Sequence, residues 1–429
     1  MLSLGTSAPF WVDWQKRAGW AARGSALHLL YGKLSINGVN KLYTDPSVDL
    51  VRASDAWGLD ADGVVQQFDP GVVRATNAGV YTGPSIEQHF PNPSMAGVAV
   101  GVTGSGGSLP TDWDASGFDR VEIVAIGQGD GFPWVELQLD KDNSAGGSTA
   151  YPRLRGNSGF SPAAILGDNF TSSIWADAVS SNQQMYLLAE EKDGANSYEG
   201  ASPVNLNAAS RYWVTREVTS ADTVSVILQV GCAIPVGEVL SCRIRLGSPN
   251  LTKTAYLAQP ILDDGVQAAD KLGFDLSGID LSNGVYGVWR GEVAGWNDNW
   301  DRVLELGSTS GHDHIMLRAT GTGDQLRLSF YDVSEAVNEP APVTGNFLWS
   351  GSHEIVFGIG PNFTQLIIDG MATSVADLLA YSSVDLTTLF LGISHTGGSS
   401  GTLRTDELKL FVAPADGLTT ELLQSEVSS

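Results

Sequence analysis

Charge is scarce in this chain, and most of what is present is negative. Only 17% of its 429 residues are charged, against roughly a quarter in an average soluble domain. The 24 Lys and Arg residues face 48 Asp and Glu residues, which gives a formal net charge of -24. Such a field repels phosphate backbones, and the basic residues form no cluster that would reverse it locally. Nucleic acid is therefore not an expected partner.

Long apolar runs are also missing. No stretch of the sequence approaches the length of a membrane span, so membrane insertion is not expected. The first twenty residues lack the basic start and unbroken apolar core of a signal peptide, because Pro9, Asp13 and Lys16 interrupt them. The sequence therefore predicts a protein that folds without an export signal.

Cysteine occurs twice, at Cys232 and Cys242, ten residues apart across a predicted hairpin. Cross-strand neighbours in a hairpin can meet disulfide geometry. A reducing cytoplasm would instead keep both thiols free, and this second interpretation is favoured. One pair of cysteines cannot build a metal site of the Cys-His type.

Glycine and tryptophan are abundant, with 50 and 12 residues. Short apolar runs with a period of two are separated by Gly, Asn and Ser, and no comparable helical period appears. This pattern predicts a mostly β protein, with an N-terminal arm followed by two antiparallel β-sandwich, jelly-roll-like domains. Strands are predicted at residues 121–126, 134–139, 185–189, 212–218, 224–230, 285–293, 303–306, 315–319, 326–331, 354–359, 365–369, 389–393 and 408–412.

A punctuated segment at residues 49–93 departs from the strand pattern. Its order of Arg-Ala-Ser, Asp-Ala-Asp-Gly-Val, a lone Arg and Ile-Glu before Asn resembles a segment near the N terminus of many bacteriophage fibre and minor virion proteins. Taken from its residues alone, Asp-Ala-Asp-Gly is a turn between short strands, since Asp supports local turns and Gly63 tolerates a positive φ. The matching residues are 51–54, 59–64, 74, 83–87 and 91–93.

Two further resemblances concern the sandwiches. Residues 109–113, 131–137, 211–216 and 243–249 resemble the jelly-roll module, similar to carbohydrate-binding modules, that follows the first segment in phage proteins. Residues 366–370, which read Leu-Ile-Ile-Asp-Gly, together with 389–392 and 408–411 resemble the closing strands of the concanavalin-like, laminin-G-like fold. That fold hosts adhesion, sugar binding, hydrolysis and scaffolding, so the resemblance implies a fold and no single activity.

These marks divide the chain into five parts. Residues 1–48 are expected to form a virion-anchoring arm that is partly helical, with a short helix within 15–31. Alternatively, the aromatic residues of the arm pack on the chain's own first domain. The phage-type segment follows at 49–93, the jelly-roll domain at 94–264, the laminin-G-like domain at 270–415 and a tail at 416–429.

Catalytic motifs are missing from the sequence. It contains no Gly-x-Ser-x-Gly elbow, P-loop, dinucleotide fingerprint or metalloprotease helix, so the protein is not expected to be an enzyme. Glu190-Glu191 and Asp263-Asp264 are adjacent and would point apart on strands, which does not suit a glycosidase pair. His312-Asp313-His314 would need a fourth ligand to hold a metal and is more often a polar loop.

A loop in the second sandwich is the best candidate for binding. It places two indoles four residues apart among amide and carboxylate groups, which suits a pyranose ring. Asp298 and Asp301 are candidate calcium ligands, as rim carboxylates are in some laminin-G-like domains. Alternatively, one Trp closes the sandwich edge and the other packs against a neighbouring subunit. The candidate glycan-binding residues are Trp296, Asn297, Asp298, Asn299 and Trp300.

The resemblances imply a virion structural protein, a tail or head fibre or spike of a phage or gene transfer agent, that attaches to a host by binding cell-surface polysaccharide. Its arm would contact other virion proteins, and its aromatic, low-charge surface predicts a homo-oligomer, with a trimer favoured. The missing signal fits assembly in the host cytoplasm, and also a cytoplasmic protein or a mature fragment. The alternatives are a tailspike-type polysaccharide depolymerase and a structural spike base that presents another receptor-binding protein.

Overall fold

The computed structural model describes residues 25–427, except 32, 157–161, 196–197, 264, 296–300, 308–313, 321–324, 332–336, 339–350, 374, 376–380, 382, 384–385 and 395–400. Strands dominate the described residues and pair almost entirely antiparallel, so the predicted mostly β, β-sandwich class is confirmed. Within this part of the chain, no helix is both long enough and apolar enough to cross a membrane.

Short strands open the described part of the chain. They are β1 Ser25–Leu30, β2 Lys33–Ile36, β3 Val39–Lys41, β4 Val48–Val51, β5 Ala56–Leu59, β6 Val65–Phe68, β7 Ala75–Thr76, β8 Gly79–Thr82 and β9 Ile86–Gln88. Strands β5 and β6 form a hairpin of their own, while the others join the sheets of two sandwiches.

The middle sandwich follows. Its strands are β10 Gly101–Thr103, β11 Gly106–Gly107, β12 Trp113–Ser116, β13 Arg120–Gly129, β14 Phe132–Asp142, β15 Arg153–Gly156, β16 Asn169–Ser181, β17 Met185–Asp193, β18 Tyr198–Leu206, β19 Ser210–Glu217, β20 Thr223–Gly231 and β21 Val239–Thr252. The larger sheet has the order β11-β10-β13-β14-β21-β16-β19, and the smaller sheet has the order β12-β15-β20-β17-β18. Alternate residues such as Val135, Leu137 and Leu139 are fully buried between the two sheets.

We call the second sandwich the terminal sandwich, because its strands come from both ends of the described chain. After β22 Gly265–Gln267, its later elements are β23 Lys271–Asp275, β24 Val285–Gly295, β25 Arg302–Gly307, β26 His314–Thr320, β27 Gln325–Tyr331, β28 Val337–Asn338, β29 Gly351–Gly360, β30 Phe363–Ile368, β31 Met371–Ala372, β32 Thr388–Leu391, β33 Thr402–Val412 and helix α1 Thr420–Val427. One sheet has the order β3-β2-β1-β33-β24-β29-β30-β31, and the other has the order β28-β27-β26-β25-β32-β23-β4.

The middle sandwich is inserted into the terminal one. Strands β1 to β4, β7 and β8 belong to the terminal sandwich, yet they precede the middle sandwich in sequence. The incoming strand β9 pairs with the outgoing strand β22, where Ile86 lies opposite Gln267. The two chain crossings therefore lie side by side at the joint between the sandwiches.

The sequence prediction is wrong for the end of the N-terminal arm that the structure describes. A helix was expected within residues 15–31; residues 15–24 lie outside the described residues, while Ser25–Leu30 is a strand that pairs with β33, with Leu29 opposite Leu408. Leu27 and Leu29 are fully buried in the core of the terminal sandwich, while His28 between them reaches Glu407 on the outer face. The segment forms a strand and not a helix, because alternation of side chains along a strand lets both leucines enter the core of the sandwich. The virion-anchoring role of the arm stays a prediction.

The hairpin of β5 and β6 docks on the middle sandwich. The amide of Val65 donates to the carbonyl of Asp130 in the turn between β13 and β14, at 2.7 Å. Trp57 and Val65 pack with Phe132 in an apolar cluster between the hairpin and the larger sheet. A side chain at Gly131 would collide with the backbone of Val65, so the turn requires glycine there. The Asp-Ala-Asp-Gly segment thus forms a turn between short strands, as its residues predicted.

The two arginines of the phage-type segment converge on one carboxylate at the joint. Arg52 donates to Asp270 at 2.8 Å, and Arg74 donates to the other oxygen of the same side chain. All three side chains are at most 2% exposed. The amide of Asp270 donates to the carbonyl of Gly83 at 3.0 Å. We call Arg52, Arg74 and Asp270 the joint triad, because it joins three segments of the chain, after β4, before β7 and between β22 and β23.

The C-terminal helix covers part of the terminal sandwich. Leu423 of α1 is fully buried against Val288 and Val356 on the outer face of the sheet that contains β1. Next to this small core, Glu407 contacts His28 at 3.2 Å, Lys409 at 3.4 Å and Arg290. The residues expected to form a tail therefore contain a packed helix.

We expect Asp270→Ala to lower the free energy of unfolding by about 3 to 5 kcal/mol, because it leaves two buried guanidinium groups without their carboxylate. Urea denaturation measures this loss. Asp114→Ala, which breaks the 3.1 Å pair with Arg155 at a 45% exposed carboxylate, is the control and should cost less than about 1 kcal/mol. Equal losses in the two variants would contradict the role of the joint triad.

Acid should weaken the terminal sandwich through Glu407. Burial alone would raise the pKa of Glu407, but the hydrogen bond from His28 and the charges of Lys409 and Arg290 outweigh it and lower the pKa from 4.5 to about 2. The resulting stability is present above pH 4.5 and is lost as the pH falls towards 2. We expect wild type to exceed Glu407→Gln by about 3 kcal/mol at pH 7 and by much less at pH 2.5. Urea denaturation at both values tests this, and a difference that does not change with pH would contradict it.

Candidate functional site

Most of the loop predicted to bind glycan lies outside the described residues. Trp296, Asn297, Asp298, Asn299 and Trp300 are all in this group. Asp301 is described, and only 1% of it is exposed. Its carbonyl accepts a hydrogen bond from the amide of Ala319 at 2.9 Å. The glycan and calcium roles of this loop therefore stay predictions, and Asp301 is too buried to offer an open rim carboxylate.

The histidine-dense spot can be followed at one position. His312 and Asp313 lie outside the described residues, whereas His314 begins β26 and has its Nδ1 3.6 Å from Glu305 Oε1. Among the residues that the structure describes, no cluster of three His, Cys, Asp or Glu side chains is arranged to hold a metal ion. Cys232 and Cys242 are both free and buried, and burial with the nearby Cys242 raises the pKa of Cys232 to about 12, so its thiol stays protonated.

Glu190 and Glu191 point to opposite faces of β17, as their adjacency predicted. Glu191 lies on the core side and accepts hydrogen bonds from Arg216 at 2.5 Å and Thr223 at 2.7 Å. Burial raises the pKa of Glu191, but Thr223, Arg216 and the amides of Ser220 and Thr219 outweigh burial and hold this pKa below its ordinary value. Glu191 is therefore a satisfied structural carboxylate.

Glu190 belongs to a polar cluster on the outer face of the smaller sheet. It is 1% exposed and forms ion pairs with Arg153 and Lys192. Arg153 also donates to Gln229 Oε1 at 3.0 Å, and Gln229 is fully buried. We call Arg153, Glu190, Lys192 and Gln229 the sheet-face cluster. It joins β15, β20 and β17 and faces away from the core, which lies on the other side of these strands.

One hydrogen-bond donor of the sheet-face cluster is unused. Among the described residues, Gln229 Nε2 is buried and has no hydrogen-bond partner. A buried amide without an acceptor costs about 1 to 3 kcal/mol, so its retention needs a reason. An acceptor supplied by a ligand on this face would satisfy it.

A glycine, Gly231, lies beside the sheet-face cluster. Gly231 stands opposite Arg153 on one neighbouring strand and opposite Tyr186 on the other. A Cβ added at Gly231 would lie 2.6 Å from the carbonyl oxygen of Pro152 and 3.2 Å from Cγ of Arg153. The absence of a side chain at Gly231 therefore lets Arg153 pass over β20 towards Glu190 and Gln229.

The sequence contains a pattern from which this polar face could have been predicted. In β17, Tyr186, Leu188, Glu190 and Lys192 alternate with the core residues, which places them together on the outer face. Two charged residues in that set mark a face that does not enter the core. Their meeting with Arg153 and Gln229 depends on strand register, and local sequence does not give that register.

The outer face of the larger sheet also carries paired charges, and among the described residues Arg245 Nε on this face is buried without a hydrogen-bond partner. The guanidinium of Arg245 lies 4.5 Å from the centre of the Trp134 ring and donates to Glu136 at 2.8 Å. Burial raises the pKa of Glu136, but Arg245 and Arg243 outweigh it and bring this pKa below its ordinary value. Trp213, at 47% exposure, is the most accessible indole on this sheet's described strands. This face is a second aromatic surface and serves as a comparison.

Sequence comparisons assign no family. No family model matches the chain. The nicotinate-nucleotide–dimethylbenzimidazole phosphoribosyltransferase of Clostridioides difficile strain 630 is 26% identical over 215 residues, which are 46% of this chain and 59% of that protein. The chain therefore spans less than two thirds of the length of this relative. Such a match assigns no activity.

Solved structures of several kinds are similar to the chain. The tripod of the bacteriophage Tuc2009 baseplate is 14% identical, with 79% of this chain and 98% of that chain covered and a TM-score of 0.28. Domains LG4-5 of the mouse laminin alpha1 chain are 11% identical, covering 61% and 86%, with a TM-score of 0.23. Domain 4 of an extracellular arabinanase from Geobacillus stearothermophilus, in complex with arabinotriose, is 11% identical, covering 38% and 73%, with a TM-score of 0.31. TM-scores this low support no inference about function.

Proposed function

We propose that the protein is a carbohydrate-binding β-sandwich protein that holds a glycan on the outer face of the smaller sheet of the middle sandwich. The sheet-face cluster carries the proposal, because it keeps buried polar groups on a face that does not enter the core. Arg153, Glu190 and Gln229 supply a guanidinium, a carboxylate and an amide. These planar groups donate to and accept from the hydroxyls of a sugar ring.

The geometry of the face supports a sugar in particular. Tyr186 and Arg153 both lie opposite Gly231, one on each neighbouring strand, so the same face offers a sugar ring an aromatic surface and hydrogen-bond donors. The ion pairs from Arg153 and Lys192 to Glu190 hold these side chains before any ligand arrives. Ordered side chains lower the entropy cost of binding a flexible polar ligand.

We propose binding without hydrolysis. A glycosidase needs two carboxyl groups roughly 5 to 10 Å apart across the sugar. Glu190 is paired with two cations, and the adjacent Glu191 lies on the other face of the strand. The depolymerase alternative would be favoured if the purified protein shortened a polysaccharide that it binds.

The proposed setting is a phage or phage-like particle, in which the protein would be a fibre or spike that attaches to a host surface. Support comes from the resemblance of residues 49–93 to phage fibre proteins, in which Arg52 and Arg74 are two of the matching positions. These arginines form the joint triad, so the segment would hold two sandwiches in a fixed relation. Homo-oligomers, with a trimer favoured, would multiply weak glycan contacts through avidity. A spike base that presents another binder is the alternative without glycan binding.

We expect Tyr186→Ala and Arg153→Ala each to weaken glycan binding about tenfold, because each removes one of the proposed sugar contacts. A glycan array probed with the labelled full chain identifies a binding glycan, and calorimetry then measures its dissociation constant. Trp213→Ala is the control, since Trp213 is exposed on the larger sheet. The proposal fails if the control abolishes binding while both sheet-face variants bind like wild type, or if wild type binds no glycan.

We expect a chain that lacks residues 1–24 to stay folded and to lose incorporation into particles. Residues 25–41 must be kept, because β1 to β3 are part of the terminal sandwich and Leu27 and Leu29 fill its core. Circular dichroism and thermal unfolding check the fold, and immunoblots of purified particles check incorporation. A shortened chain that enters particles at the wild-type level would contradict the anchor.

A further inference from the structure

A cavity of about 620 Å³ lies at the joint between the two sandwiches. It is bounded by the incoming strand, by Pro162 and Ala163 before β16, and by the segment that follows β21. Its lining is mixed, with Glu87, His89 and Lys253 as the ionisable groups. The remaining lining residues are Ser85, Ile86, Pro162, Ala163, Thr254 and Tyr256.

The position and size of the cavity suit a small ligand. Binding sites for small molecules commonly measure 300 to 1,000 Å³ and occur at domain interfaces. Tyr256 in its wall accepts a hydrogen bond from Thr402 of the terminal sandwich at 2.9 Å. Its ring also packs on Gly295, where a Cβ would lie 2.2 Å away. A ligand in the cavity would therefore touch a residue that is wedged between the sandwiches.

The lining has no net positive charge to attract an anion. The ammonium of Lys253 lies 2.7 Å from Asp168, which neutralises it while leaving two of its N–H groups free of that pair. His89 Nδ1 lies 3.7 Å from Glu87 Oε1. Burial lowers the pKa of His89 most, Glu87 raises it and Lys253 lowers it, and the pKa stays below its ordinary value. With one ammonium and two carboxylates at the cavity, and a net charge of -24 on the chain, a carboxylate ligand is disfavoured.

The same groups offer both donors and acceptors. Lys253, the imidazole of His89 and the exposed hydroxyl of Ser85 can donate, while Glu87, the imidazole and the hydroxyl can accept. Ile86, Pro162 and Tyr256 supply apolar surface between them. Hydroxyl groups on an apolar ring satisfy this combination, and an uncharged sugar has this chemistry.

We propose that the joint cavity is a second binding site, separate from the smaller sheet, for an uncharged sugar residue. The site does not depend on the sheet-face cluster, since none of the cavity's lining residues belongs to that cluster. The two sites can therefore succeed or fail independently.

Saturation-transfer NMR on the full chain tests the proposal with methyl glycosides of glucose, galactose, mannose and N-acetylglucosamine, and with methyl glucuronoside. We expect at least one neutral glycoside to bind with a dissociation constant on the order of 1 mM, as suits so small a ligand. In the background of the sheet-face variant Arg153→Ala/Tyr186→Ala, adding Ser85→Trp should remove the signal by filling the cavity from an exposed position. Ser85→Ala is the matched control, because it keeps the space and removes a single hydroxyl.

The sheet-face variant Arg153→Ala/Tyr186→Ala separates the two sites. The cavity proposal expects this variant, which lacks the contacts of the sheet-face site, to keep a neutral glycoside signal. The proposal is overturned if no neutral glycoside binds wild type, if the double variant loses the signal, if Ser85→Trp binds as Ser85→Ala does when each is added to the double variant, or if methyl glucuronoside binds the double variant more tightly than the neutral sugars. Thermal unfolding confirms that each variant is folded, and Ala163→Trp replaces Ser85→Trp if the latter is not.

Discussion

The buried ion pairs of Arg52 and Arg74 with Asp270 are the constraint on which the relation between the sandwiches depends. A single carboxylate receives both guanidinium groups, and its own amide is bonded to Gly83. Arg52 further donates to the carbonyls of Ser54, Asp69 and Val72, which fixes the loop after β6 as well. Buried pairs of this kind cost desolvation, so they specify geometry more than they add stability. The joint cavity and the hairpin contact both lie next to segments that this triad positions.

The sandwich strands could be predicted from sequence because each buries one face, so apolar residues alternate locally. Val135, Leu137 and Leu139 show this pattern, and all three are buried. The strand β1 was missed because Leu27 and Leu30 also fit a helical spacing, and its partner β33 lies far along the chain; His28 and Glu407 are 379 residues apart. The sheet-face cluster was missed for a related reason, since cross-strand register brings Gln229 and Arg153 to Glu190. The local alternation of apolar residues shows which face of a strand is buried, whereas the pairing of distant strands decides which side chains come into contact.

Several of the Arg and Lys side chains in this chain form ion pairs with its own buried carboxylates. Arg52 and Arg74 form ion pairs with Asp270 at the joint, Arg153 and Lys192 with Glu190, and Arg290 with Glu407. Each of these three carboxylates is at most 5% exposed, so these cations neutralise interior acids. Both candidate sugar sites contain cations already paired to carboxylates, which suits hydroxyl recognition better than capture of a polyanion.

The insertion of one sandwich into the other sets an order of events during synthesis. Strand β1 leaves the ribosome long before β33, its main partner, is made; at roughly 5 to 20 residues per second the delay is about 20 to 75 s. During that time Leu27 and Leu29 have no sheet to enter, while the middle sandwich has all its strands and can close. Because β9 and β22 pair at its base, the closed middle sandwich would return the chain to the place where it left. A large separation in sequence thereby becomes a short search in space, which lowers the entropy cost of the last pairing.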